Sequence, residues 1–340
     1  MPEIYTPLSN YYETNSQRRK QAAEGEVLAW GESSELFGKY REEWNRSANE
    51  SYLPAHPLHV DIELSDACNL RCRMCAHGMG AVKKSGLMDR ELAFSLIDQC
   101  STVGVYSIKF NWRGESTLNP FLPDAVAYAK AKGILEVQIN TNGLPPRRTM
   151  LAECAESGID RIIFSVDGFS KETYESQRIG GVYANLVENI KDLLAWRNSR
   201  KRQKPLVRLQ MVRTLLNAHE VDDFINYWQP LVDDVRVSDV TDRGQGDGLS
   251  VGDQITIGRR RCPQPFQRLV IARDGRVSPC CSDWNQEFVA GDVAHETLLQ
   301  IWQGDRMRYI RGILERNEHH KIGICNNCCV KESYIWKKRD

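Results

Sequence analysis

The stretch Asp66-Ala67-Cys68-Asn69-Leu70-Arg71-Cys72-Arg73-Met74-Cys75 sets three thiols at a C-x3-C-x2-C spacing. Zinc sites commonly bring cysteines as C-x2-C pairs with four ligands in all. Three thiolates in one tight loop instead suit a 4Fe–4S cube with one iron left open for a further ligand. A zinc loop completed by a distant fourth residue is the alternative. The loop directly follows Leu58-His59-Val60-Asp61-Ile62-Glu63-Leu64, an apolar run with the character of a strand. A strand that delivers its C-terminal end into a ligand loop is the unit from which the fold is read.

Further strand candidates recur at 106–112, 135–140, 161–166, 206–212 and 233–238, with helical patterns between them. One helix starts at Asp89 and carries Leu92, Leu96, Ile97 and Cys100 on one face; another starts near Phe121, has Pro123 in its first turn and stops at Gly133. Strands alternating with helices imply a parallel sheet, here an open α/β barrel over residues 56–240. Residues 1–55 are expected to form a helical extension with Trp30, Phe37, Tyr40 and Trp44 on one stripe. The glycine-rich 243–248 stretch marks a linker at 241–261; it lacks the Lys-Ser/Thr of a P-loop. A second domain is expected over 262–340. Cys100 and Cys154 fall on apolar helix faces and read as core thiols. The basic run Asn198–Lys204 reads as a solvated loop.

The chain has 340 residues, 41% hydrophobic and 26% charged, enough to bury a core. Its 45 Lys+Arg balance 45 Asp+Glu, which argues against a nucleic-acid partner. No apolar run approaches the roughly 18 residues of a membrane span. The opening MPEIYTPLSNYYETNSQRRK lacks the apolar core of a secretory signal, so a cytoplasmic location is expected. Eleven cysteines in such a chain point to metal or catalytic thiols rather than disulfides.

The cysteine run resembles the signature of the radical S-adenosylmethionine (radical SAM) superfamily. Later motifs follow in the family's order. Ile108–Ser116 contains Arg113-Gly114-Glu115, similar to a glycine-glutamate motif that binds the SAM amino group, with arginine where the family usually has a second glycine. Val137–Gly143 resembles a third-strand ending, Arg161–Gly168 the fourth, and Glu172–Gly181 the segment whose arginine pairs with the SAM carboxylate. The resemblance implies a partial (β/α)6 barrel with Cys68, Cys72 and Cys75 holding a 4Fe–4S cluster at its mouth. It implies SAM contacts from Met74, Gly114, Glu115, Asn140, Ser165, Asp167 and Arg178. It also implies one-electron cleavage of SAM to a 5′-deoxyadenosyl radical, with the electron from a reductant such as flavodoxin or ferredoxin. A ligand with an ammonium, a carboxylate and a ribose diol needs an acid, a base and hydroxyl partners, which this set supplies.

Toward the C-terminus, Cys262, Cys280, Cys325 and Cys328 surround a hairpin signal, Arg273-Asp274-Gly275-Arg276, that joins 269–272 to 277–279, and a helix marked by Leu298, Leu299 and Trp302. The arrangement resembles the SPASM/twitch extension in its short form, which implies a second, auxiliary 4Fe–4S cluster on these four thiols; a structural zinc is the alternative. Relatives of this layout imply hydrogen abstraction from a carbinol carbon of a sugar, aminocyclitol or glycosylated natural product, giving epimerisation or a ketone. Cys281 is the expected hydrogen donor for epimerisation and Asp283 the expected base for dehydrogenation; Cys329 is the other thiol left over. A peptide-modifying or sulfatase-maturing enzyme is the rival. A non-catalytic cluster protein would have no use for Glu115, Ser165, Asp167 and Arg178.

Overall fold

A computed structural model describes residues 29–50, 52–80, 82, 86–240, 261–326 and 328, and the backbone of three outlying strands, Ile4–Tyr5, Asp253–Arg259 and Glu332–Lys337. Six strands, β1 (His59–Ile62), β2 (Ser107–Lys109), β3 (Glu136–Thr141), β4 (Arg161–Ser165), β5 (Leu206–Arg213) and β6 (Asp234–Asp239), pair in sequence order and all in parallel. They match the six candidates within one or two residues at most ends.

Parallel strands covered on both faces read as continuous apolar runs. These alternate instead, and the alternation explains the barrel. Val60 and Ile62, Val137 and Ile139, Ile162 and Phe164, Val207 and Leu209 point outward into one hydrophobic core. The residues between them, such as Asp61, Gln138, Asn140 and Gln210, face inward and keep the lumen polar.

The outer layer is helical: α1 (Ser34–Asn49) stands apart, while α2 (Arg90–Val103), α3 (Leu122–Ala131), α4 (Met150–Glu156), α5 (Lys171–Gln177), α6 (Tyr183–Ser199) and α7 (Val221–Trp228) follow the strands. Asp89 caps α2 by accepting from Leu92 N at 3.1 Å, and Gly104 ends it at φ +87°. Cys100 and Cys154 are fully buried core thiols, as expected.

The predicted aromatic stripe forms. Trp30 stacks on Phe37 at 4.3 Å, and Tyr40 packs on Tyr106 at 5.3 Å. With Leu58 and Leu135, these residues make a second small core at the N-terminal ends of the strands. Helix α1 therefore closes the floor of the barrel, the end opposite the cysteine loop.

The hairpin expected in the C-terminal domain is present as β7 (Arg268–Ile271) and β8 (Arg276–Ser278), followed by β9 (Gly291–Asp292). Its first strand does more than predicted: β7 pairs in parallel with β1, His59 opposite Arg268, so one nine-stranded sheet runs β9-β8-β7-β1-β2-β3-β4-β5-β6. Helices α8 (Leu298–Gln303) and α9 (Asp305–Glu315) bury Leu298, Trp302, Met307 and Ile310 in the same core.

Two expectations need correction. The N-terminal extension is not wholly helical, because Ile4–Tyr5 is a strand; the 241–261 linker contains the strand Asp253–Arg259. Both pair antiparallel with Glu332–Lys337 in a separate three-stranded sheet. Backbone partners offered by a distant C-terminal segment override what local composition suggested. Residues 241–252 and 260 of the linker, and Cys329, lie outside the described residues. No helix among the described residues is long and apolar enough to cross a membrane.

Candidate active site

The cysteine loop leaves β1 and is held from three directions. Asp66 Oδ1 accepts from Gly86 N at 2.6 Å, and Arg273 pairs with Asp66 at 3.0 Å. Beneath the loop, Glu115 N donates to Ala67 O at 2.8 Å. A Cβ on Gly114 would stand 2.2 Å from Ser65 O and 2.5 Å from Ala67 O, so only glycine lets the two segments meet. On the far side, Arg71 N donates to Ile179 O at 2.9 Å and Arg73 N to Gln177 O at 3.0 Å. This two-rung ladder brings Arg178 to the thiols.

Burial pushes the Cys68 thiol up to about 11, with Glu115, Cys72 and Cys75 adding negative charge around it. Burial also raises Cys72, against the pull of the Arg178 guanidinium. The three thiols thus share one electrostatic neighbourhood, and a metal centre there would displace their protons. Among the described residues, no three His, Cys, Asp or Glu side chains stand in a closed metal-coordinating group.

The expected SAM contacts divide into two kinds. Gly114 lies against the loop as described, Met74 is half-buried within it, and Ser165 is half-buried at the end of β4. Asn140 turns inward, and its buried Oδ1 has no hydrogen-bond partner. Glu115, Asp167 and Arg178 are already engaged by protein groups. Glu115 Oε1 accepts from Thr117 N, Thr117 Oγ1 and Thr141 Oγ1 at 3.1, 2.8 and 2.8 Å, and Oε2 accepts from Asn142 N at 2.7 Å. It ties the glycine-glutamate segment to the end of β3. Asp167 is fully buried, accepts from Val212 N at 2.8 Å and pairs with Arg178.

Residues that the motifs did not single out complete the frame. Asn142 Nδ2 donates to Asn69 Oδ1 at 2.7 Å inside the loop; its signal was the Thr141-Asn142-Gly143 ending itself. Arg113, the departure from two glycines, holds Glu63 through Nε at 2.8 Å and Nη2 at 2.5 Å and reaches Trp284 O at 3.1 Å. Trp112 Nε1 donates to Cys281 O at 2.9 Å. The segment under the cluster loop therefore also clamps the C-terminal cysteine loop.

In that loop, burial raises the Cys280 thiol well above an ordinary one, and the nearby thiols of Cys281, Cys262 and Cys325 push it the same way. Cys328 is half-buried. Cys281 is half-buried and lies within electrostatic range of Arg268 on the lumen wall. Asp283 does not match its expectation as an accessible base. It is 1% exposed, and its oxygens accept from Glu287 N at 2.8 Å and Phe288 N at 3.2 Å. Burial pushes it up to about 6. A carboxylate held in this way braces the 283–288 turn.

The model of the Radical SAM superfamily matches residues 62–196, and that of SPASM, an iron-sulfur cluster-binding domain, matches 262–329. The chain belongs to the radical SAM superfamily and carries a SPASM domain. These two domains imply SAM and two 4Fe–4S clusters as its cofactors; Cys68, Cys72 and Cys75, within electrostatic range of one another, and the glycine cradle under their loop fit the first. The chain is a radical SAM enzyme.

Its relatives include the tungsten-containing aldehyde ferredoxin oxidoreductase cofactor-modifying protein of Pyrococcus furiosus, 24% identical over 81% of this chain and 88% of its own. The S-adenosyl-L-methionine-dependent 2-deoxy-scyllo-inosamine dehydrogenase of Niallia circulans is 23% identical over 79% of this chain and 91% of its own. Among solved structures, BtrN in complex with AdoMet and 2-DOIA aligns with a TM-score of 0.54 at 20% identity, covering 80% of this chain and 92% of that one. Streptococcus suis SuiB bound to S-adenosylmethionine aligns at 0.64 and 14% identity, covering 87% and 77%. At these identities the structural likeness establishes the fold.

Proposed function

We propose that this enzyme abstracts hydrogen from a carbinol carbon of a small, carbohydrate-like molecule held in the barrel lumen, and that inversion of that centre is the outcome. The observation that carries this reading is the lumen. Its wall offers amides, a phenol hydroxyl and charges, among them Gln138, Asn140, Gln210 and Tyr40, around a cavity of about 350 Å³ whose floor helix α1 forms. Such a wall satisfies a polyhydroxylated molecule and leaves an apolar side chain unrewarded. The similarity to an aminocyclitol dehydrogenase supports the substrate class. Likeness of fold to SuiB carries no weight for the peptide-modifying rival.

In this proposal Cys68, Cys72 and Cys75 hold the first cluster, and Cys262, Cys280, Cys325 and Cys328 the auxiliary one. Met74, Gly114, Glu115, Asn140, Ser165, Asp167 and Arg178 form the SAM site, with Glu115, Asp167 and Arg178 shaping it through the bonds described above. Held by these residues, the open cluster and SAM would supply the one-electron chemistry that removes one hydrogen atom from the substrate carbon. Cys281 then gives its S–H hydrogen to the opposite face. The sulfur radical left behind takes one electron and one proton, the electron from an external one-electron donor. Inversion is preferred to dehydrogenation because Asp283 is enclosed, with both oxygens occupied.

The test is reaction of reduced holoenzyme with a panel of sugars and aminocyclitols in heavy water. Inversion puts one solvent deuterium on the product carbon, and Cys281→Ser still cleaves SAM but forms little inverted product. A product two mass units lighter with no deuterium makes the enzyme a dehydrogenase. Turnover only on peptides sinks the substrate class.

A further inference from the structure

Among the described residues, the floor of the lumen carries more positive charge than its carboxylates balance. Lys109, Arg161, Arg208, Arg236, Arg268 and Arg41 all line the cavity. Three carboxylates pair with five of these cations. Asp61 is shared by Lys109 at 2.7 Å and Arg268 at 3.1 Å. Asp234 is shared by Arg208 at 2.6 Å and Arg236 at 2.9 Å. Glu136 takes Arg161 at 3.1 Å. Arg41 lies 5.5 Å over the Tyr40 ring and makes no ion pair among the described residues. His59, on the same wall, is kept neutral by burial. Among the described residues these six cations face three carboxylates, a surplus of three positive charges.

Two further observations point into the same space. Arg268 Nε, a donor, and Asn140 Oδ1, an acceptor, are both buried without a hydrogen-bond partner, and both residues line the cavity. Unpaired buried polar atoms are costly, and groups left this way at a cavity wall are poised for a ligand. The donor calls for an anionic oxygen and the acceptor for a hydroxyl. Crowding is evident at Arg208, which burial, with Arg236 and Arg161 nearby, brings down to about 10.

We infer that the lumen floor is an anion site, and that the substrate carries a phosphate or carboxylate group which docks there. This rests on the small-molecule reading above and narrows it to an acidic or phosphorylated polyol. The layout suits that division of labour. Arg161 and Ser165 sit four residues apart on β4, roughly 13 Å along the strand. An anionic tail on the floor therefore presents the rest of a sugar-sized molecule to the mouth, where the SAM residues stand.

The test uses holoenzyme already loaded with SAM, so that the SAM carboxylate site is filled. Binding of inorganic phosphate and of malonate is measured by calorimetry at constant ionic strength in wild type, Arg236→Gln and Arg41→Gln. Both side chains are exposed enough for the variants to fold, and circular dichroism checks this. The expected result is saturable binding of at least one anion, weakened about tenfold in each variant, a change of ~1.4 kcal/mol. Phosphate alone identifies a phosphorylated substrate, and malonate alone a carboxylic one. Failure of both anions to bind, or binding that neither substitution alters, overturns the proposal. Because this readout needs no turnover, anion binding without activity on any polyol would leave the floor site standing and remove the carbinol chemistry.

Discussion

Arg178 grips Asp167, with Nη2 2.5 Å and Nε 2.7 Å from Oδ2 of a carboxylate that is fully buried. Both residues were expected to contact SAM, Arg178 at its carboxylate. The pair instead locks the α5 C-terminus to β5, because Asp167 also accepts from Val212 N. The same segment pairs with the cysteine loop through Ile179 and Gln177. If the pair also shapes the SAM site as proposed, SAM affinity and stability are coupled at this point.

Replacing Arg178 by Ala leaves Asp167 buried without its cation, a loss of about 3–5 kcal/mol. Urea unfolding of the cluster-free protein should show this fall, and SAM binding by the folded variant should weaken as well. Asp167→Asn combined with Arg178→Gln removes both charges and should recover much of the stability but not the SAM affinity. Wild-type stability in Arg178→Ala would show that the pair does not hold the segment.

Cluster loading tests the glycine under the loop. Full reconstitution should give about eight irons per chain, and Cys68→Ala/Cys72→Ala/Cys75→Ala about four. Gly114→Ala forces a methyl toward Ser65 O and Ala67 O, at 2.2 and 2.5 Å, and displaces the loop. Its iron content should fall toward that of the triple variant while the auxiliary cluster stays. A wild-type plateau at about four irons with one zinc would contradict the two-cluster assignment.

His59 should give the fold an acid-side weakness. The ring is 3% exposed, with Nδ1 3.0 Å from Ser107 Oγ and Nε2 3.3 Å from Asp61 Oδ1. Burial holds it below the ordinary histidine range, more strongly than Asp61 pulls it up. The unfolded chain therefore takes a proton near pH ~6.5 that the folded chain refuses. Stability from this group is present above that pH and declines as pH falls below it. Denaturant unfolding of wild type minus His59→Gln should slope downward toward acid in that window. A flat difference would mean that His59 charges freely in the folded state.

The six barrel strands were legible because most of them alternate apolar and polar residues between turn signals, as at 135–140 and 206–212. The radical SAM signature was legible because chemistry restricts the spacing of its cysteines. What escaped depends on distance along the chain. Nothing local to 268–271 says that this strand will lie against His59 rather than close a separate domain. Nothing beside Arg113 announces Glu63 or Trp284, though its replacement of a glycine was a visible departure. Asp283 looked available as a base because a sequence does not show that two backbone amides fold back onto it. The lumen floor escaped for a related reason. Arg161, Arg208, Arg236 and Arg268 sit at the starts of four separate strands, and only closure of the sheet gathers them.

The central claim, that this chain turns SAM and an electron into a hydrogen-abstracting radical, has one direct measurement. Anaerobically reconstituted, dithionite-reduced enzyme should release 5′-deoxyadenosine and methionine from SAM in equal amounts. Cys72→Ala, lacking one thiolate of the mouth cluster, should release neither, although its auxiliary cluster remains. Absence of 5′-deoxyadenosine from fully loaded wild type, or equal release by the variant, would contradict the account.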